Sequence, residues 1–176
     1  MADIISSNLS DDDKNSWRTD PRVFRALDKE FNFNLDVCAS DANHLCEYYL
    51  TKENDALRKN WSHYADPLGN DHAFCNPPYS RGMIKEFMLK AIEQKKHYVT
   101  TVFLVPATLD AKWLPLDHVS EIRIITGGRL SFLHPVENKK INGSTKGSMI
   151  VIFRPSINPL NIKLIDRDEL LKQGEN

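Results

Sequence analysis

Apolar positions along this chain follow two alternating rhythms. In WRTDPRVFRALDKEF, Val23, Phe24, Leu27 and Phe31 fall at helical spacing, and Thr19 and Asp20 ahead of Pro21 form a helix-start signal. This stretch predicts a short amphipathic helix. FNLDVCAS predicts a buried strand ending at Asp36, and SDANHLCEYY predicts a capped short helix or turn running into a second extended stretch. Residues 51–71 are mostly polar, with Pro67, Leu68, Gly69 and Asn70 marking a loop. HAFCN reads as a strand cut off by Pro77 and Pro78. SRGMIKEFMLKAIEQKKH has helical period, with basic residues at the end where the helix dipole favours them. YVTTVFLVPA is the clearest strand, nearly continuous in apolar residues as expected when both faces are covered. A helix around 108–116, a strand at EIRIIT, a polar and glycine-bearing segment over 127–147, and a last strand at SMIVIFR before a polar tail complete the series.

Strands alternating with helices predict an α/β fold with a mostly parallel sheet and helices on both faces. With 176 residues, of which 41% are hydrophobic, the chain fits one domain. We place a flexible arm at 1–15, the domain at 16–155 and the polar tail at 156–176. A formal net charge of -1 announces no nucleic-acid partner, so any such surface must come from local clustering. Cys38, Cys46 and Cys75 have no CxxC spacing, and the first residues lack the basic start and apolar core of a signal peptide. We therefore expect a cytoplasmic protein with reduced thiols, in the host cytoplasm if the chain is viral. No apolar run approaches the roughly 20 residues that span a bilayer, so no membrane partner is expected. The six histidines are scattered without HxxxH spacing, and no metal site is expected.

The distinctive chemistry lies in FCNPPYS, residues 74–80. In an open α/β sheet, ligands bind beyond the carboxyl ends of the strands, so Asn76 and Asp36 should border one crevice. Pro77 and Pro78 hold Asn76 and Pro77 itself in extended backbone. The Asn76 side-chain oxygen and the Pro77 carbonyl then stand side by side as acceptors, followed by the Tyr79 ring. Two acceptors and a flat stacking surface match a planar group bearing NH2: the exocyclic amine of a base, or a carboxamide.

NPPY resembles the Asp/Asn/Ser-Pro-Pro-aromatic motif of S-adenosylmethionine-dependent amino-methyltransferases. Together with WRTDPRVFRALDKEFNFNLDVCAS, NDAL, VFLVPATLDAKWL, GGRLSF and GSMIVIF in this order, it makes residues 17–154 similar to the phage-type Dam family of DNA N6-adenine methyltransferases. The resemblance implies a single-domain Rossmann-like class I methyltransferase fold. It also implies catalysis by Asn76, Pro77, Pro78 and Tyr79, in which Asn76 and Pro77 accept the amine's hydrogens and Tyr79 stacks on the base. Such an in-line displacement needs positioning and hydrogen bonds that strengthen with developing charge, with no nucleophilic side chain.

On the cofactor side, the resemblance implies that S-adenosylmethionine sits over LDVCAS, with Asp36 near its methionine end and Trp17, Thr19 and Pro21 covering that end from the other side. A glycine-rich loop is missing after the first strand, so the small Ala39 and Ser40 must allow close backbone approach. Asp36 could equally serve as a helix or turn cap. Glu47, Glu53 and Asp55 compete for the cofactor ribose, and Asp55 matches the family pattern best.

The chain's charge is unevenly spread. Residues 1–60 are net acidic, whereas 121–147 carry Arg123, Arg129, Lys139, Lys140 and Lys146 against Glu121 and Glu137. HPVENKKINGSTKG within that segment has residues suited to phosphates and base edges, which makes 127–147 a small recognition loop for double-stranded DNA. Candidate DNA contacts are Arg81, Lys112, Trp113, Arg129, Lys139, Lys140, Asn142 and Lys146. An adenine inside a duplex hides its N6 and must be flipped out, and Tyr79 would line the receiving pocket. The resemblance suggests GATC as a first target. Alternatives are methylation of an RNA base or a protein glutamine by the same NPPY chemistry, or a non-catalytic DNA-binding or decoy protein. The sequence leaves the oligomeric state open, a monomer included.

Overall fold

The computed structural model describes residues 17–64, 71–134, 139–141, 146–156 and 159–175, so the arm expected over 1–15 lies outside the described residues. The first helix, α1 (Pro21–Phe31), starts as the sequence predicts: the Asp20 carboxylate accepts the Arg22 N–H at 3.0 Å, and Pro21 takes a position where a missing N–H costs nothing. It stops at Asn32, whose left-handed φ of 50° lets its N–H reach the Asp28 carbonyl at 2.7 Å. Strands β1 (Leu35–Asp36), β2 (Tyr48–Tyr49) and β3 (His72–Cys75) follow, then α2 (Met83–Lys95) and β4 (Thr100–Pro106). The remaining elements are β5 (Glu121–Thr126), β6 (Phe132–Leu133), β7 (Lys140–Ile141), β8 (Ser148–Phe153), β9 (Asn161–Asp166) and α3 (Arg167–Gln173).

Seven strands form one sheet in the order β2-β1-β3-β4-β8-β5-β9. β2, β1, β3 and β4 run parallel, as do β5 and β9, while β8 is inserted antiparallel between β4 and β5. The mostly parallel α/β architecture is thus as expected and is consistent with a Rossmann-like methyltransferase fold. β6 and β7 form a separate antiparallel hairpin.

Two cores lie on the two faces of the sheet. Ala73, Cys75, Phe103, Val105, Met149 and Val151 pack with Ile84, Phe87, Met88 and Ala91 of α2. The intervening residues Phe74, Val102, Leu104, Ile150 and Ile152 pack with Val23, Phe24, Leu27 and Phe31 of α1 and Leu170 of α3. This alternation is the two-residue period of a pleated strand, with each large apolar side chain contributing about 1.5–3 kcal/mol on burial.

Two expectations need correction. The helix expected over 108–116 is a run of tight turns, with Ala111 N–H to Thr108 O at 3.3 Å and Leu114 N–H to Ala111 O at 3.0 Å, before a 3-10 turn at Leu116–His118. Pro115 lacks the N–H that a longer helical ladder would need there. The polar tail expected over 156–176 contains β9 and α3. β9 is an exposed edge strand, and α3 buries Leu170 alone, so neither shows the apolar density of a core element.

A buried ion network fastens α1 to the sheet. Arg123 on β5 donates to Glu121 at 2.7 Å and, through both terminal nitrogens, to Glu30 of α1 at 2.5 and 2.6 Å. Arg154 and Lys163 approach Glu121 at 3.0 and 3.1 Å. Burial alone would raise the Glu121 pKa, but the hydrogen bonds from Arg123 and Lys163 outweigh it and hold the carboxyl down at about 2. Its folded value lies below its unfolded value, so the stabilisation is complete above about pH 4.5 and is lost as pH falls through about 2. Glu121→Gln is expected to remove this dependence: between pH 5 and pH 2 the parent should lose about 3 kcal/mol more stability than the variant, read from urea midpoints along the pH series.

Candidate active site

β1 and β3 are neighbours in register, Leu35 beside Ala73 and Asp36 beside Phe74, so their carboxyl ends open at one edge of the sheet. A cavity of about 810 Å³ lies there. Of the residues singled out in the sequence, it is lined by Trp17, Thr19, Asp36, Ala39, Ser40, Asp55, Asn76 and Pro78. Glu53 also lines it, unlike its competitor Glu47. Leu45, Met83 and Phe87 also form this wall, and no motif singles them out.

Asp36 is buried, and its carboxylate accepts the N–H groups of Cys38 and Leu45, each at 3.2 Å. Burial is the larger influence and pushes its pKa up to about 6, against the lowering effect of those two bonds. After it the chain turns through Ser40 and Asn43, whose backbones exchange hydrogen bonds at 3.0 and 2.9 Å. Of the two forms expected for this stretch, the turn is the one adopted. Asp55 sits at a left-handed φ of 53°, a conformation aspartate tolerates, and pairs with Arg58 at 3.1 Å.

Asn76 follows the last residue of β3. Its side-chain nitrogen donates to the Trp17 carbonyl at 3.2 Å and the Thr19 hydroxyl at 3.1 Å. Its Oδ1 takes no hydrogen bond from the described residues. Pro77 is buried and lies outside the cavity wall. Tyr79 also stands outside it, with 38% of its surface exposed, but its hydroxyl is tucked in to donate to the Leu104 carbonyl at 3.2 Å. Burial of that hydroxyl pushes its pKa above the ordinary tyrosine range. The ring meets Phe132 edge-on at 6.3 Å between centroids. Pro21 is exposed at the head of α1 and serves the helix start, away from the cavity.

The β6–β7 hairpin adjoins this edge. Arg18 and Leu133 form an antiparallel bridge, and the Trp17 and His134 rings meet edge-to-face at 5.9 Å. Lys140 lies on this hairpin, 3.8 Å from Asp20, with Lys139 just before it. Arg81, Lys112, Arg129, Lys139, Lys140 and Lys146 are all exposed. Trp113 instead packs half-buried against the α2-side core, a position that suits packing better than DNA contact. Asn142 lies outside the described residues. Trp61 is core, as its apolar ring suggests, with its indole N–H satisfied by the Ala56 carbonyl at 2.9 Å.

A family model for DNA N-6-adenine-methyltransferase (Dam) matches residues 6–176. The chain belongs to the Dam family. It is 30% identical over 165 residues to the DNA N-6-adenine-methyltransferase of Escherichia phage T1, covering 84% of this chain and 66% of that protein. It is likewise 30% identical over 157 residues to the DNA N-6-adenine-methyltransferase of Haemophilus phage HP1, covering 86% of each. Among the described residues of this Dam-family chain, no cluster of metal-ligating side chains is present and no helix is long and apolar enough to cross a membrane.

The elevated Asp36 pKa makes this acid a cost to folding. Its folded value exceeds its unfolded value of 3.8, so the penalty is absent at low pH, grows as pH rises and is complete above about 6. Asp36→Asn should therefore gain stability relative to the parent with rising pH, by about 2–3 kcal/mol between pH 3 and pH 8 in chemical denaturation. A flat difference across that range would show that the carboxyl titrates normally.

Proposed function

We propose that this protein is an S-adenosylmethionine-dependent DNA adenine-N6 methyltransferase that acts on an adenine turned out of a duplex. The observation that carries this reading is the placing of Asn76, its Oδ1 without a partner among the described residues, between a large cavity containing a buried acid and the exposed ring of Tyr79. The chain's membership of the Dam family supports the same conclusion.

The cavity suits the cofactor. Its volume of about 810 Å³ is that of a small-molecule site, and Asp36 offers a carboxylate to a cationic amino group. Ala39 and Ser40 bring backbone close without bulk, and Asp55 supplies an acceptor for a ribose. Bound there, S-adenosylmethionine supplies an electrophilic methyl group and leaves as S-adenosylhomocysteine. The protein's part is positional. Asn76 Oδ1 and the Pro77 carbonyl accept the two hydrogens of the adenine amine and aim the nitrogen's lone pair at the cavity. Their hydrogen bonds strengthen as positive charge grows on that nitrogen, and the surplus proton departs to solvent. Tyr79 offers a stacking face to the extruded base, fixed in orientation by its bond to Leu104. Arg81, Lys112, Arg129 and the hairpin lysines supply the sequence-independent attraction to phosphates, with GATC the first target to test.

The test is incubation with tritiated S-adenosylmethionine and unmethylated duplex DNA containing GATC, followed by digestion to nucleosides. Label is expected in N6-methyladenine, falling by about 10²–10³-fold in Asn76→Ala while the thermal unfolding transition persists. Label in RNA or in a protein glutamine instead of DNA would assign the same chemistry to another substrate, and no label in any of the three would leave a binding protein with this fold.

A further inference from the structure

The usefulness of Asn76 depends on which way its carboxamide points. One end donates two hydrogens, the other accepts, and the two differ little in size. An amine that must give up its hydrogens needs the oxygen. The Asn76 nitrogen lies 3.2 Å from the Trp17 carbonyl oxygen and 3.1 Å from the Thr19 hydroxyl. A backbone carbonyl has no hydrogen to give, so only the amide nitrogen can face it. Both amide hydrogens are then committed to the 17–19 segment, and Oδ1 is left without a partner among the described residues.

We propose that Thr19 is a positioning residue for methyl transfer: its hydroxyl, with the Trp17 carbonyl, holds the Asn76 amide so that its oxygen meets the target amine. This inference rests on the function proposed above. Thr19 is 4% exposed and therefore has little freedom to turn away. Its backbone is fixed on both sides. Arg18 exchanges two hydrogen bonds with Leu133 at 3.1 and 2.9 Å, and Asp20 caps α1. Alternate backbone groups of an extended segment point to opposite sides, so the pairing of Arg18 with the hairpin leaves the Trp17 carbonyl directed the other way, at Asn76. The Thr19 hydroxyl is the second point of a two-point hold. Removing it leaves the amide able to rotate about its remaining bond.

Thr19 also lines the cavity, so a role in cofactor contact makes a competing forecast, and the two separate in kinetics. Thr19→Val, nearly the same shape without the hydroxyl, should lower kcat by about 10–100-fold while KM for DNA and cofactor affinity by calorimetry stay close to the parent's. Thr19→Ser, which restores the hydroxyl, should restore kcat. The inference is overturned if Thr19→Val keeps full kcat, if its loss is matched by an equal loss of cofactor affinity, or if serine does no better than valine. Should Thr19→Val show no cooperative unfolding, Thr19→Ala is put through the same measurements. A parent protein that leaves adenine N6 unmethylated sinks the proposed function itself, before any variant is compared.

Discussion

The site depends on the register between two short parallel strands. β1 has two residues, Leu35 and Asp36, so few ladder bonds hold it to β3. What pins the register is the difference between the faces. Phe74 fills the α1 side, with its ring 5.2 Å from Phe24 and 5.6 Å from Phe33, while Ala73 and Cys75 leave room for α2 on the other side. A slip of one residue would exchange those faces, forcing a phenylalanine into a space shaped for alanine and cysteine. β4 repeats the pattern beside it, with Val102 and Leu104 on one face and Phe103 and Val105 on the other. The bulk of Phe74 thus determines where Asn76 emerges two residues later, next to the end of β1 and its Asp36.

Two buried acids in the same sheet meet opposite fates, and the contrast separates structure from function. Glu121 is surrounded by Arg123, Arg154 and Lys163 and is held ionised to about pH 2. Asp36 has two backbone N–H groups and, among the described residues, no arginine or lysine partner, and its pKa rises to about 6. A sheet that can compensate one acid so fully has no folding reason to leave the other poorly compensated. That imbalance, in the wall of the large cavity at the carboxyl edge, supports the cofactor role proposed for Asp36.

Much of this was legible in the sequence because it is periodic or local. α1, α2, β3, β4, β5 and β8 each carry a spacing that buries one or both faces, and Asn76 and Asp36 were placed together by the rule that parallel sheets bind ligands at strand ends. The C-terminal elements were missed because β9 and α3 lie at the exposed edge, where apolar periodicity fades. A quieter signal was present: Asp166 accepts from the N–H groups of Asp168 and Glu169 at 2.9 and 3.1 Å, and an aspartate followed three residues later by glutamate is a helix-start pattern. Pro21 was assigned to the cofactor through the family resemblance and Trp113 to DNA through its loop at the sheet edge; the structure places the one at the head of α1 and the other half-buried against the α2-side core. The bond from Asn76 to Thr19 has no signature in spacing at all, since it joins two loops 57 residues apart.

That bond ties one short segment to two parts of the fold. Residues 17–19 have two neighbours at once: Leu133 of the hairpin through the Arg18 backbone, and Asn76 through the Trp17 carbonyl and the Thr19 side chain. Tyr79 makes a second link to the same hairpin through Phe132. The β6–β7 hairpin is placed by the two backbone hydrogen bonds between Arg18 and Leu133, by Phe132 packing against the α1-side core and by the contact of the Trp17 and His134 rings. The hairpin and Asn76 are thus bonded to the same three residues, 17–19, from two sides.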